Sequence, residues 1–296
     1  MTTTLDTETR PEALADKPPG LRVEDVEYQR QGGRAVLARV YRPAGTGPYP
    51  AVVQVHGGAW VHKDRTDNDF IARAFAESGI LVASVDFRMP PEAPYPASIA
   101  DINLATRWLK ARARTYGSRP DWVGTFGTSS GGHQVLLAAM RADDPRYAAL
   151  PLAEASQTDA PPPDARVAFV ISGWGVLDPL LRYHLAKKAG NAELLEHHHA
   201  FWGDEAAMSE GSPPAILDRG EKVTLPPALV FGGDADEWVP VETMHRLVNG
   251  WKKAGGEVEL ELYRGANHGF MTGKPDAPYA KPAIERMKTF IRKHTG

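Results

Sequence analysis

The sequence predicts an α/β fold, with a largely parallel sheet and helices on both of its faces. Three observations point to it. Short, nearly continuous apolar runs recur at Ala51–Val55, Ile80–Val85, Trp122–Phe126, Val167–Ile171 and Ala228–Phe231, as strands buried on both faces do. Stretches of helical character separate the runs, and alternation of strand and helix is the pattern of a parallel sheet. The 296 residues, 42% hydrophobic and 24% charged, suit a globular protein, and single α/β domains of this length are routine.

Taken in order, residues 1 to 20 are polar and Pro-containing and read as a flexible arm or lid element. The remainder, 21 to 296, reads as one domain. From Val23 the pattern alternates (Val23, Val26, Tyr28, then Val36, Ala38, Val40), as in two antiparallel strands joined by a turn at residues 31 to 34. Ile99, Ile102, Ala105 and Leu109 recur at helical spacing, predicting a helix over Ser98 to Tyr116 that Gly117 stops. Two stretches are too long for ordinary connections, 141 to 165 and 173 to 225. The second is expected to be a small cap over the site.

A net charge of -3, with acids and bases interspersed, gives no electrostatic footprint for nucleic acid or an anionic membrane. The absence of cysteine removes disulfides, thiolate metal sites and a cysteine nucleophile together. The first twenty residues lack an apolar signal core and no run approaches a membrane span, so a cytoplasmic protein without membrane insertion is the expectation.

The chemistry is carried by four motifs. Gly127-Thr128-Ser129-Ser130-Gly131 fits G-x-S-x-G, a match that arises by chance in about one chain in ten of this length. Its context is more selective, because it lies between a strand-like and a helix-like segment. A sharp turn there pushes the serine out at the carboxyl edge of the sheet. His56-Gly57-Gly58-Ala59-Trp60 follows an earlier strand. Acyl transfer builds negative charge on a carbonyl oxygen, and fixed backbone N–H groups stabilise it; Gly58, Ala59 and Ser130 are the expected oxyanion hole, with His56 bracing the loop. A late strand leads into Asp234 and Asp236, and the next into Asn267-His268-Gly269-Phe270, giving the order serine, acid, histidine. Asp236 is the expected partner of His268, and Asp234 the turn former.

These motifs, with the stretch Val85 to Pro96, resemble the hormone-sensitive-lipase-like branch of the α/β-hydrolase esterases from about Val36 onward. The resemblance implies the α/β-hydrolase fold with its eight-stranded type of sheet, a triad of Ser129, Asp236 and His268, and an oxyanion hole at Gly58, Ala59 and Ser130. Ala59 replaces the third glycine of the common HGGG form. Hydrolysis of a small carboxylic ester through an acyl-enzyme is the expected function, with no cofactor and no metal. An arylformamidase-like amide hydrolase at the same triad is the rival enzyme, and a non-catalytic ligand-binding protein of the same fold is the rival of another class.

Other residues carry weaker expectations. Trp60, Trp174, Trp202, Trp238 and Phe270 are candidates for an aromatic pocket. The tract His197 to His199 is not expected to bind a metal, because consecutive side chains point to different faces. Asp86 and Arg88 are expected in structural ion pairs, and Glu257, Glu259 and Glu261 on the wet face of an edge strand.

Overall fold

The computed structural model describes residues 20–153 and 162–296, so the expected arm, apart from Gly20, lies outside them. The elements run β1 (Arg22–Gln31), β2 (Arg34–Arg42), β3 (Tyr49–Val55), α1 (Asp69–Glu77), β4 (Leu81–Val85), α2 (Ala97–Arg112), β5 (Ser118–Thr128), α3 (Ser130–Met140), α4 (Pro145–Ala148) and β6 (Val170–Gly173). Then come α5 (Pro179–Ala189), α6 (Ala192–Trp202), α7 (Glu205–Glu210), α8 (Pro213–Asp218), β7 (Ala228–Gly233), α9 (Val241–Lys253), β8 (Val258–Tyr263) and α10 (Ala280–Lys293). The eight strands form one sheet in the order β1-β2-β4-β3-β5-β6-β7-β8. Strand β2 is antiparallel to both neighbours, and the other pairs are parallel.

Alternation along each strand builds two cores. Val53 and Val55 face one layer and Val52 the other; Ala228 and Val230 oppose Leu229 and Phe231 in the same way. Helices α2, α3 and α9 close the first layer through Ile99, Trp108, Leu136, Leu247 and Trp251. Helices α1 and α10 close the second through Ile71, Phe75, Ile284, Met287 and Phe290. Each such side chain, removed from water, contributes about 1.5–3 kcal/mol.

Several boundaries differ from expectation, β5 extending beyond Trp122–Phe126 at both ends while one helix and one strand are shorter. Helix α2 ends at Arg112, where the Ala113 N–H turns back to the Lys110 carbonyl, and the chain continues to Gly117 as hydrogen-bonded turns, with the Tyr116 N–H on the Arg112 and Ala113 carbonyls and the Ser118 N–H on that of Ala113. Strand β6 starts at Val170; Val167 is only partly buried and Ala168 and Phe169 make isolated bonds to β5 before the ladder begins.

Strand register aligns the ends of the sheet. Val55 pairs with Val85 and Gly127, Thr128 with Gly173, Gly173 with Phe231, and Gly233 with Tyr263. The carboxyl ends of β3, β5, β6, β7 and β8 therefore lie side by side, and the residues just past them form a single rim. The stretch 173–225 folds largely as α5 to α8. Among the described residues, no helix is long and apolar enough to cross a membrane.

Candidate active site

Ser129 sits between β5 and α3 with φ 53° and ψ -121°, a conformation that costs a non-glycine residue about 1–3 kcal/mol. The surroundings enforce it. Its N–H donates to the Gly173 carbonyl at 2.9 Å, and its own carbonyl accepts from His133 at 3.2 Å and Val176 at 3.0 Å. The flanking glycines are required by space: a Cβ on Gly127 would lie 2.3 Å from the Gly131 carbonyl oxygen, and one on Gly131 2.4 Å from the carbonyl oxygens of Val55 and His56.

The hydroxyl so presented meets a hydrogen-bonded chain. Ser129 Oγ lies 2.9 Å from His268 Nε2, and His268 Nδ1 lies 2.7 Å from Asp236 Oδ2. An ionised carboxylate only accepts, so Nδ1 carries the proton and Nε2 is left to accept from the serine. Asp236 is fully buried at its side chain, and its second oxygen accepts the N–H groups of Trp238 at 2.9 Å and Val239 at 2.8 Å. Asp234 instead accepts the Gly265 N–H, tying the β7 and β8 loops together. The loop after β7 thus turns Asp236 to the histidine and Asp234 to the backbone of the following loop.

Across the rim, the loop after β3 carries consecutive positive φ values at Gly58 (97°), Ala59 (50°) and Trp60 (69°). The Gly58 carbonyl anchors it by accepting from Val61 and His62, both at 3.0 Å. Ser130, at the first turn of α3, accepts the Trp60 N–H on its hydroxyl at 3.1 Å. That bond joins the two segments whose backbone N–H groups are expected to form the oxyanion hole. His56 is buried, stacked on Phe87 at 4.2 Å, with Nδ1 2.9 Å from the Gly57 carbonyl oxygen, a bracing position.

The BD-FAE family model matches residues 39–250. The chain belongs to the BD-FAE family. It is 30% identical to the esterase LipC of Mycobacterium tuberculosis over 233 residues, 76% of this chain and 54% of LipC. It is 37% identical to the carboxylesterase NlhH of the same organism over 138 residues, 46% of this chain and 42% of NlhH. The chain spans about half the length of the curated relatives it matches. Among solved structures, the propionate-bound Est2 esterase of Thermogutta terrifontis gives a TM-score of 0.70 at 25% identity, over 93% of this chain and 94% of that one. That esterase also has a butyrate-bound structure and one phosphorylated by paraoxon. The hyperthermophilic esterase of Pyrobaculum calidifontis gives 0.73 at 24% identity, over 93% of this chain and 87% of that one. The α/β-hydrolase fold and the hormone-sensitive-lipase-like branch expected from the motifs are the ones found.

In this BD-FAE member the hydrogen-bonded chain opens into a cavity of about 500 Å³, walled by Gly58, Ala59, Trp174, Trp238 and, from α5 and α6, Arg182 and Leu194. Three of the five aromatic residues expected there are elsewhere. Trp60 is fully buried, stacked on Phe201 at 5.3 Å and met edge-on by Trp202 at 5.6 Å; Arg182 covers its face at 4.7 Å. Trp202 also packs on Tyr95. Phe270 turns into the second core against Trp174 and Tyr263. Burial against partners remote in sequence, which a motif cannot show, removes all three from the cavity wall.

Most of the cavity residues that the motifs miss, among them Arg182, Glu193, Leu194 and His197, come from the helical insertion, and His62, Lys63 and Thr272 come from the loops after β3 and β8. On α5, Pro179, Arg182, Tyr183 and Ala186 are the buried positions, so Arg182 occupies an apolar stripe at helical spacing, and that misplaced charge is the available signal. The described part of 141–165 contributes nothing to this cavity.

The three consecutive histidines on α6 separate as geometry requires. His198 is buried, His199 is exposed, and His197 reaches the cavity, its Nε2 3.1 Å from His62 Nε2. A potential metal-binding group does arise once residues outside the tract are included: ligand atoms of His62, Glu193 and His197 lie within 4.8 Å of one another at the cavity mouth. Asp86 and Arg88 both form ion pairs, with Arg65 and Asp101 respectively. Glu259 of edge strand β8 and Glu257 just before it are bridged to α10, since Arg286 takes Glu259 and Lys293 takes Glu257 and Glu259, and Glu257, Glu259 and Glu261 all keep part of their side chains in solvent.

Proposed function

We propose that this chain is a serine hydrolase of small carboxylic esters, with Ser129 as nucleophile, His268 as general base and Asp236 as the group that fixes the imidazole. The observation that carries the reading is the chain of contacts from Ser129 through His268 to Asp236, at 2.9 and 2.7 Å, open to a cavity. As Ser129 Oγ attacks the ester carbonyl, its proton passes to His268 Nε2, and the buried Asp236 carboxylate stabilises the imidazolium. The tetrahedral oxyanion is held by backbone N–H groups of Gly58, Ala59 and Ser130. His268 then returns the proton to the departing alcohol, and a water activated by the same nitrogen releases the acid. The propionate and butyrate held by the Thermogutta esterase support a short acyl group here, as do Trp174 and Trp238 in the cavity wall.

Covalent labelling tests the assignment without reference to the natural substrate. Incubation with paraoxon is expected to leave one diethylphosphoryl group on the Ser129 peptide, and Ser129→Ala to abolish both labelling and para-nitrophenyl acetate hydrolysis. A Ser129→Ala protein that keeps its rate within about tenfold of the parent overturns the reading, because loss of a triad nucleophile costs on the order of 10⁶-fold.

A further inference from the structure

Arg182 is an interior cation without a counter-charge. The residue is 4% exposed, its guanidinium lies over the Trp60 ring, and its Nε donates to His198 Nε2 over 3.4 Å. Nη2 is buried with no hydrogen-bond partner. Other interior arginines are provided for: Arg88 meets Asp101, Arg141 meets Glu210 and Glu221, and Arg107 donates to Asn103 and to the Leu150 carbonyl. Among the described residues Arg182 forms no ion pair. Burial draws its pKa down to about 9, against the opposing pull of Asp236, which leaves it cationic at neutral pH. Asp236 is already committed, one oxygen to His268 and the other to two N–H groups.

An unpaired buried charge costs several kcal/mol, so its retention calls for a compensating anion. The cavity is where that anion can sit, since Arg182 and Ser129 wall the same space. Lys63, the other cationic side chain there, is engaged by Asp67 at 2.9 Å, and Glu193 is exposed.

We infer that Arg182 is the receptor for a carboxylate on the substrate, so that the preferred esters of this enzyme are anionic, bearing the carboxylate on either the acyl or the alcohol part. The reaction itself rests on the ester-hydrolase reading above; the anion subsite does not, because it can be read by binding. A guanidinium presents a planar fork of donors that matches a carboxylate, and in a dry setting such a contact discriminates strongly against a neutral isostere.

The test uses two matched pairs: the para-nitrophenyl half ester of adipic acid against its methyl-capped diester, and para-acetoxybenzoate against its methyl ester. Calorimetric titration of Ser129→Ala reads binding without turnover. In one pair the anion is expected to bind about tenfold to a hundredfold more tightly than its neutral partner. Adding Arg182→Met should erase that preference, and Arg182→Lys should restore part of it. The pair that responds locates Arg182 on the acyl or the alcohol side. In the parent enzyme, kcat/KM should show the same ratio. Equal affinities within both pairs in Ser129→Ala, or a preference that survives Arg182→Met, overturns the inference. A retained anion preference in a protein that hydrolyses none of the four compounds upholds the subsite while refuting the ester-hydrolase reading.

Discussion

Mild acid should loosen the packing between the helical insertion and the sheet domain, through two histidines that are held neutral. His133 on α3 and His198 on α6 are both buried. His133 Nε2 is 2.8 Å from the Gly211 carbonyl oxygen, so it must donate, and Nδ1 accepts the Trp60 indole N–H at 3.4 Å. His198 Nδ1 is 2.7 Å from the Leu194 carbonyl oxygen, and Nε2 accepts from the Arg182 guanidinium. In each ring the remaining nitrogen faces a donor. A second proton would set N–H against N–H, and in His198 a cation against a cation. Burial is the main cause that pulls His133 down to about 4, and burial followed by the Arg182 charge pulls His198 down to about 3.

Both shifts lower the folded-state value below the unfolded imidazole value of ~6.5. The unfolded chain therefore takes up protons that the folded chain refuses, and stability falls as pH drops below ~6.5 toward the folded values. At pH 5 the deficit is about 1.5 units for each ring, or about 2 kcal/mol at 1.36 kcal/mol per unit. The two together give about 4 kcal/mol, a large part of the ~5–15 kcal/mol typical of a folded protein. Urea unfolding followed by circular dichroism at pH 7 and pH 5 measures it. His133→Gln and His198→Gln should each remove about half of the pH-dependent loss. A parent protein that loses less than about 1 kcal/mol over this interval, or variants that keep the full slope, would refute the idea that these rings are locked neutral.

The site itself leads to two more expected outcomes. Asp236→Asn should lower kcat for para-nitrophenyl acetate on the order of 10⁴-fold by disturbing the imidazole tautomer. Asp234→Asn keeps an oxygen for the Gly265 N–H and should stay within about threefold in the same assay; similar losses in both would break the division of labour between the two acids. With Trp174 and Trp238 in the wall of the cavity, kcat/KM should fall by degrees from acetyl or butyryl toward octanoyl esters, since one methylene is worth only ~1 to 3 kcal/mol. An optimum at about ten carbons or more, on a para-nitrophenyl ester series, would show an open groove where a closed slot is expected.

The parts of this protein legible in the sequence are those decided within a few residues of a strand end. Ser129 needs a turn that only small neighbours permit, and Gly127 and Gly131 announce it. Asp236 and His268 come after the last two strands, and the parallel register then carries them to the rim beside Ser129. The nearly continuous apolar runs reveal the strands because both faces are buried. Boundaries are less visible, as at Val167, where an apolar residue continues the run before the ladder has started.

What surrounds the Ser129–His268 pair is written at long range, and there composition misleads. Tryptophans beside the motifs proposed for catalysis suggest a pocket, yet Trp60 is completed by Phe201 and Trp202 from α6, and Phe270 by the second core. Neither His62 nor His197 alone suggests a shared site, because the fold brings them together across the cavity mouth. Arg182 is the instructive exception. Its position on the buried stripe of α5, three residues after Pro179 and four before Ala186, is a local conflict between charge and helical periodicity that can be read in advance. Such a conflict costs stability unless something offsets it, so a buried charge out of pattern marks where the substrate, more than the fold, has set the residue.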